Sequence, residues 1–62
     1  YRLAFVTDGV CAVRYDNERG KGDHRHVGNV ETAYPFSTPE ALLKDFWRDV
    51  AQWRQDHEHR DD

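Results

Sequence analysis

The sequence predicts an α+β fold: a small antiparallel β-sheet made of two hairpins, packed against one C-terminal amphipathic helix. Three observations carry this. Asp8-Gly9 separates two short apolar runs, Gly28-Asn29 separates two further strand-like segments, and Ser37-Thr38-Pro39-Glu40 opens a stretch whose apolar residues recur every three or four positions. At 62 residues the chain holds a single domain, and a core of that size typically supplies only about 3–5 kcal/mol. The domain is expected over residues 1–56, followed by a polar tail at 57–62.

Residues 1–7 and 10–15 are rich in Val, Ala, Phe and Tyr. Asp-Gly between such runs is a strong hairpin signal, because a two-residue primed turn needs positive φ. Closing the turn there pairs Thr7 with Val10, Val6 with Cys11, Phe5 with Ala12 and Ala4 with Val13. Both faces of this hairpin then read as apolar, more than one helix can cover, so a second chain or a preceding segment is expected on the far side. The chain begins at Tyr1, without methionine and inside a strand pattern, and is expected to be the C-terminal part of a longer polypeptide. Cys11, the one cysteine, lies in the apolar run and reads as a buried, reduced thiol.

The second hairpin pairs residues 24–27 with 30–36 around Gly28-Asn29, setting Val27 opposite Val30, His26 opposite Glu31 and His24 opposite Ala33. Pro35 confines the last strand to an edge or an end. Ser37 to Glu40 has the form of a capping box with Pro39 in the first turn, which predicts a helix over 39–56. Leu43, Phe46, Val50 and Trp53 form its core stripe, widened by Leu42 and Trp47. His57 and His59 lie two apart, do not share a helix face, and belong to the polar terminus rather than to a site.

The chemistry concentrates in residues 15–26, where acids, bases, two histidines and two glycines stand between apolar segments. His24 and His26, two apart on a strand, point to one face. Glu31 opposite His26 offers a carboxylate to orient its ring. Arg19, Gly20, Lys21, Gly22 and Arg25 make a local basic loop that can grip a phosphate through cations and backbone amides. The net charge of −3 argues against a general nucleic-acid coat. No segment approaches the roughly 20 apolar residues of a membrane span, and no signal peptide opens the chain, so a cytoplasmic protein is expected.

The run Tyr15-Asp16-Asn17-Glu18-Arg19-Gly20-Lys21-Gly22-Asp23-His24-Arg25-His26, with Tyr34-Pro35-Phe36 and Leu42-Leu43-Lys44-Asp45-Phe46-Trp47-Arg48-Asp49-Val50, resembles the TumE-type toxins of bacterial toxin–antitoxin pairs. The resemblance spans nearly the whole chain, and its most specific part is the run ending at His26. It implies a small cytoplasmic toxin made beside a cognate antitoxin, commonly a helix-turn-helix protein, and a family form that carries an N-terminal extension absent here. It implies no catalytic assignment, so the mechanism has to come from the residues.

Three functions compete. In the first, the chain cleaves RNA without a metal: His24 and His26 act as base and acid, Glu31 orients, and Lys21 and Arg25 stabilise the developing charge. In the second, the basic loop Gly20 to His26 binds nucleic acid or protein without catalysis. A metal site built from His24, His26 and Asp16 or Asp23 is disfavoured by the incomplete ligand set and the adjacent cations, so no metal or cofactor is expected. Gly20-Lys21-Gly22 lacks the spacing and the Ser or Thr of a P-loop. The partners expected are RNA, an antitoxin and a further protein chain in a homo- or hetero-oligomer, with no membrane.

Overall fold

A computed structural model describes residues 1–18 and 20–57 of the chain. Strands β1 (Arg2–Thr7), β2 (Val10–Glu18), β3 (Gly22–Val27) and β4 (Val30–Ala33) precede a single helix, α1 (Pro39–His57). The strands form one antiparallel sheet in the order β1-β2-β3-β4, with α1 on one face. Asp8 and Gly9 both take positive φ, as a primed two-residue turn demands.

The second hairpin has the expected register: Val27 pairs with Val30, His26 with Glu31 and His24 with Ala33. Its last strand ends at Ala33 rather than at residue 36, because Pro35 has no N–H to continue the ladder. The middle of the sheet is longer than the two hairpin patterns implied. β2 runs on to Glu18 and pairs with Gly22, so residues 16–18 and 22–23 are strand rather than loop. The tight turn between them is closed by the Lys21 amide donating to the Glu18 carbonyl at 2.9 Å.

The first hairpin departs from the expected register. Thr7 still pairs with Val10 and Val6 with Cys11, but Phe5 pairs with Val13 and Ala4 with Arg14. Ala12 is the extra residue of a β-bulge; it is buried, and its carbonyl accepts the Gly28 amide at 2.9 Å. One inserted residue exchanges the faces of everything beyond it. Val13 and Tyr15 therefore turn toward the helix, while Arg14 and Asp16 turn to the open face. Cys11 is exposed rather than buried.

Ala12, Val13, Tyr15, Leu42, Phe46 and Val50 form the core, with Leu3, Phe5, Tyr34 and Trp53 packed against it. Leu43 was expected in the stripe but is 47 % exposed; Leu42 takes its place. The N-cap is Thr38, whose Oγ1 accepts the Ala41 amide at 3.1 Å, and Pro39 occupies the first helical position. Thr38, not a Ser37–Glu40 box, thus starts the helix. Among the described residues no helix is long and apolar enough to cross a membrane.

Candidate functional site

The pairing of β2 with β3 and of β3 with β4 assembles a polar cluster on the face of the sheet opposite α1, beyond the bulge at Ala12. Beyond it the pairing places Ala4, Arg14, His26 and Glu31 in one row across four strands. Arg2, Asp16, His24 and Ala33 form the next row. Directly paired residues of an antiparallel sheet share a face, so two rings, two carboxylates and Arg14 come together there.

The contacts within this cluster are asymmetric. Glu31 Oε2 lies 3.2 Å from His24 Nδ1 and 3.5 Å from His26 Nε2, so one carboxylate meets both rings. The other nitrogen of His24, Nε2, is 3.0 Å from the Lys21 carbonyl. His24 therefore stands between two acceptors, a carboxylate at Nδ1 and a carbonyl at Nε2. His26 Nε2 instead lies 2.7 Å from Arg14 Nη2. Arginine only donates, so toward Arg14 this nitrogen acts as the acceptor, with Glu31 the more distant neighbour of the same atom. Arg14 is anchored in turn, its Nε 3.1 Å from Asp16 Oδ2. The histidines, Arg14 and Asp16 are half-buried, held by neighbours yet reachable from solvent.

The remaining expected residues divide between places. Lys21 reaches His24 through its carbonyl, while its ammonium extends to Glu18 Oε2 at 3.6 Å. Gly20 and Gly22 flank it in the turn, both at φ 82°. Arg19 lies outside the described residues. Arg25 is not with the histidines: sitting between them on β3, it points to the helix side, where Nε and Nη2 donate to the Asp49 carboxylate at 2.7 and 3.0 Å. Asp23 also lies on that side, accepting from the Tyr1 hydroxyl at 2.8 Å. Among the described residues no group of three His, Cys, Asp or Glu is placed to hold a metal ion.

The helix-side cluster ties α1 to the sheet. The Tyr15 hydroxyl donates to Asp49, and Arg25 Nε also reaches the Tyr15 oxygen at 3.1 Å. Burial, and then the hydrogen bond to Asp49, push the Tyr15 hydroxyl up to about 12. Burial alone would raise the Asp49 carboxyl, but the hydrogen bonds from Arg25 and Tyr15 outweigh it and hold the group below its ordinary value. Tyr34 donates to Asp45 at 2.5 Å, and burial followed by that bond lifts its hydroxyl to about 12.

Arg14 was not expected in the histidine cluster, and Asp16 figured there only as a disfavoured metal ligand. A signal for Arg14 lay in the turn at Gly20 and Lys21, since pairing Glu18 with Gly22 carries Arg14 opposite His26. The family described as Toxin TumE matches residues 1–54 of the chain. No curated protein and no solved structure matches it.

Proposed function

The chain belongs to the TumE toxin family and is a toxin of a toxin–antitoxin system; from that premise we propose that it acts on RNA in the cytoplasm, cleaving the phosphodiester backbone at the open face of the sheet. A cognate antitoxin restrains it, a helix-turn-helix protein by the resemblance of the sequence. One observation carries the chemistry: His24 stands between the Glu31 carboxylate and the Lys21 carbonyl, whereas His26 Nε2 meets the Arg14 donor at 2.7 Å, closer than Glu31 at 3.5 Å. One ring that can donate and one that can accept are what acid–base cleavage requires.

In this reading His26 Nε2 takes the proton of the ribose 2′-hydroxyl, whose oxygen attacks phosphorus. His24 gives a proton to the departing 5′-oxygen as its bond to phosphorus breaks. The products are a 2′,3′-cyclic phosphate and a free 5′-hydroxyl, so atoms and charge balance. Arg14 meets the phosphate, and in doing so releases the His26 lone pair that it holds in the free protein. Lys21, 69 % exposed at the turn, adds a second cation at the rim. Arg25 has no place in this scheme, because its guanidinium is committed to Asp49.

Purified protein incubated with a labelled RNA in EDTA tests the proposal. Cleavage ending in a cyclic phosphate is expected, with no cleavage where the 2′-hydroxyl is replaced by hydrogen. His24→Gln and His26→Gln should each lower the rate by about 10²–10⁴-fold while RNA binding persists. RNA that is bound but left intact overturns the catalytic reading in favour of a binding module, and RNA that is neither bound nor cut removes RNA as the target.

A further inference from the structure

Leu43 and Trp47 are 47 % and 60 % exposed, one turn apart on a flank of α1 beside the core, where the Trp47 ring also meets Phe46 edge-on. Following that side in both directions from Trp47 gives Glu40, Leu43, Trp47, Ala51 and Arg54, all exposed. The steps are three, four, four and three, so the stripe reads the same from either end, and its ends carry opposite charges. We propose that a second copy of the chain packs here, its α1 antiparallel to the first, about a two-fold axis at Trp47.

In that arrangement Trp47 meets the partner's Trp47, Leu43 meets the partner's Ala51, and Glu40 meets the partner's Arg54. A two-fold interface presents one patch twice, so the patch must complement itself in size and in charge. This stripe does both. A parallel pairing would instead set like charges against each other at each end. Arg54 already lies over the Phe5 ring, 5.4 Å from its centroid, which stations it at the end of the stripe. A guanidinium has five N–H donors, so it can hold a carboxylate while its plane rests on the ring. Tryptophan at the centre is the residue most often found to dominate such contacts. The dimer occupies the helix and leaves the open sheet face of both copies free, independently of the chemistry proposed there.

Sedimentation equilibrium of the 62-residue chain over a wide concentration range tests this, with far-UV circular dichroism to verify the helix in every variant. A monomer–dimer equilibrium is expected, weakened about 30-fold or more by Trp47→Ala. Glu40→Arg and Arg54→Glu should each weaken association alone. An equal mixture of the two single variants, or the double variant, should restore it. If Trp47→Ala loses its helix, the charge-swap mixture decides. A chain that stays monomeric at every concentration, a mixture that fails to restore association, or a stripe that matters only for antitoxin binding overturns the proposal.

Discussion

A carboxylate in the middle of an apolar helix stripe is destabilising unless it is paired, and Asp49, at 6 % exposure, is met by Arg25, Tyr15 and Arg48. Removing the charge with Asp49→Asn leaves the Arg25 guanidinium without its bidentate acceptor. The cost should approach about 3 kcal/mol, the low end for breaking a buried pair, because Arg25 is still partly in contact with water. Against a total stability of about 3–5 kcal/mol for a core this small, urea denaturation should find much of the variant unfolded. The pH dependence follows the same contacts. A carboxyl held below its ordinary 3.8 stabilises the fold above that pH, and this contribution is lost as pH falls through the folded value. Tyr15 and Tyr34 act at the other end. Their hydroxyls are raised from 10.0 to about 12, so they stabilise fully below pH 10 and lose that contribution as pH rises toward 12. Tyr15→Phe should flatten the alkaline limb of a thermal stability profile, and Asp49→Asn the acid limb. An unchanged profile in either variant would contradict this assignment.

Turns decided which elements could be read from the sequence. The second hairpin, its register and the shared face of His24 and His26 were legible, because Gly28-Asn29 fixes the pairing and strand alternation does the rest. The first hairpin was legible only as far as Cys11, because a bulge is one extra residue inside an apolar run and leaves no mark in composition. Arg14 was missed for another reason: residues 16–23 read as a loop, so the β2–β3 pairing that sets Arg14 opposite His26 was not drawn. Arg25 was misplaced for a different reason: its charge suggested company with the histidines, although alternation already put it on the other face. Leu43 and Leu42 exchanged roles because neighbouring helical positions differ by about 100° and a buried Asp49 turns the inward face toward its own side. The turns differ in what they tolerate. Gly28 has φ 61°, and a Cβ there would lie 3.4 Å from the Trp53 ring, so Gly28→Ala combines a strained backbone with a crowded one. It should cost about 1–2 kcal/mol, read as a fall of roughly 4–8 °C in Tm per kcal/mol. Gly9 also has positive φ, at 75°, but nothing lies within 4 Å of its added Cβ, and Asn accepts that conformation. Gly9→Asn should therefore leave Tm nearly unchanged, and a drop equal to that of Gly28→Ala would rule out the Trp53 contact as the cause.

At the scale of the whole molecule, the sheet separates two polar clusters built from alternating residues of the same strands. Tyr15 and Arg25 serve the helix side, while Arg14, Asp16, His24 and His26 serve the open side. Stability and activity should therefore separate by face. Replacing a half-exposed histidine on the open side removes no core contact, so His24→Gln and His26→Gln should shift the urea midpoint by no more than about 0.5 kcal/mol in free energy. Each should nevertheless relieve toxicity when produced in a host at unchanged protein level. Arg25→Gln should behave in the opposite way: it leaves Asp49 buried and unpaired, so toxicity falls in proportion to the folded protein that remains. Because the clusters share no side chain, the stability costs of His26→Gln and Arg25→Gln should add when combined. Measuring toxicity beside soluble protein level and urea midpoint distinguishes the two faces. A stable but inactive Arg25→Gln would return that residue to the reaction and refute the division of labour across the sheet.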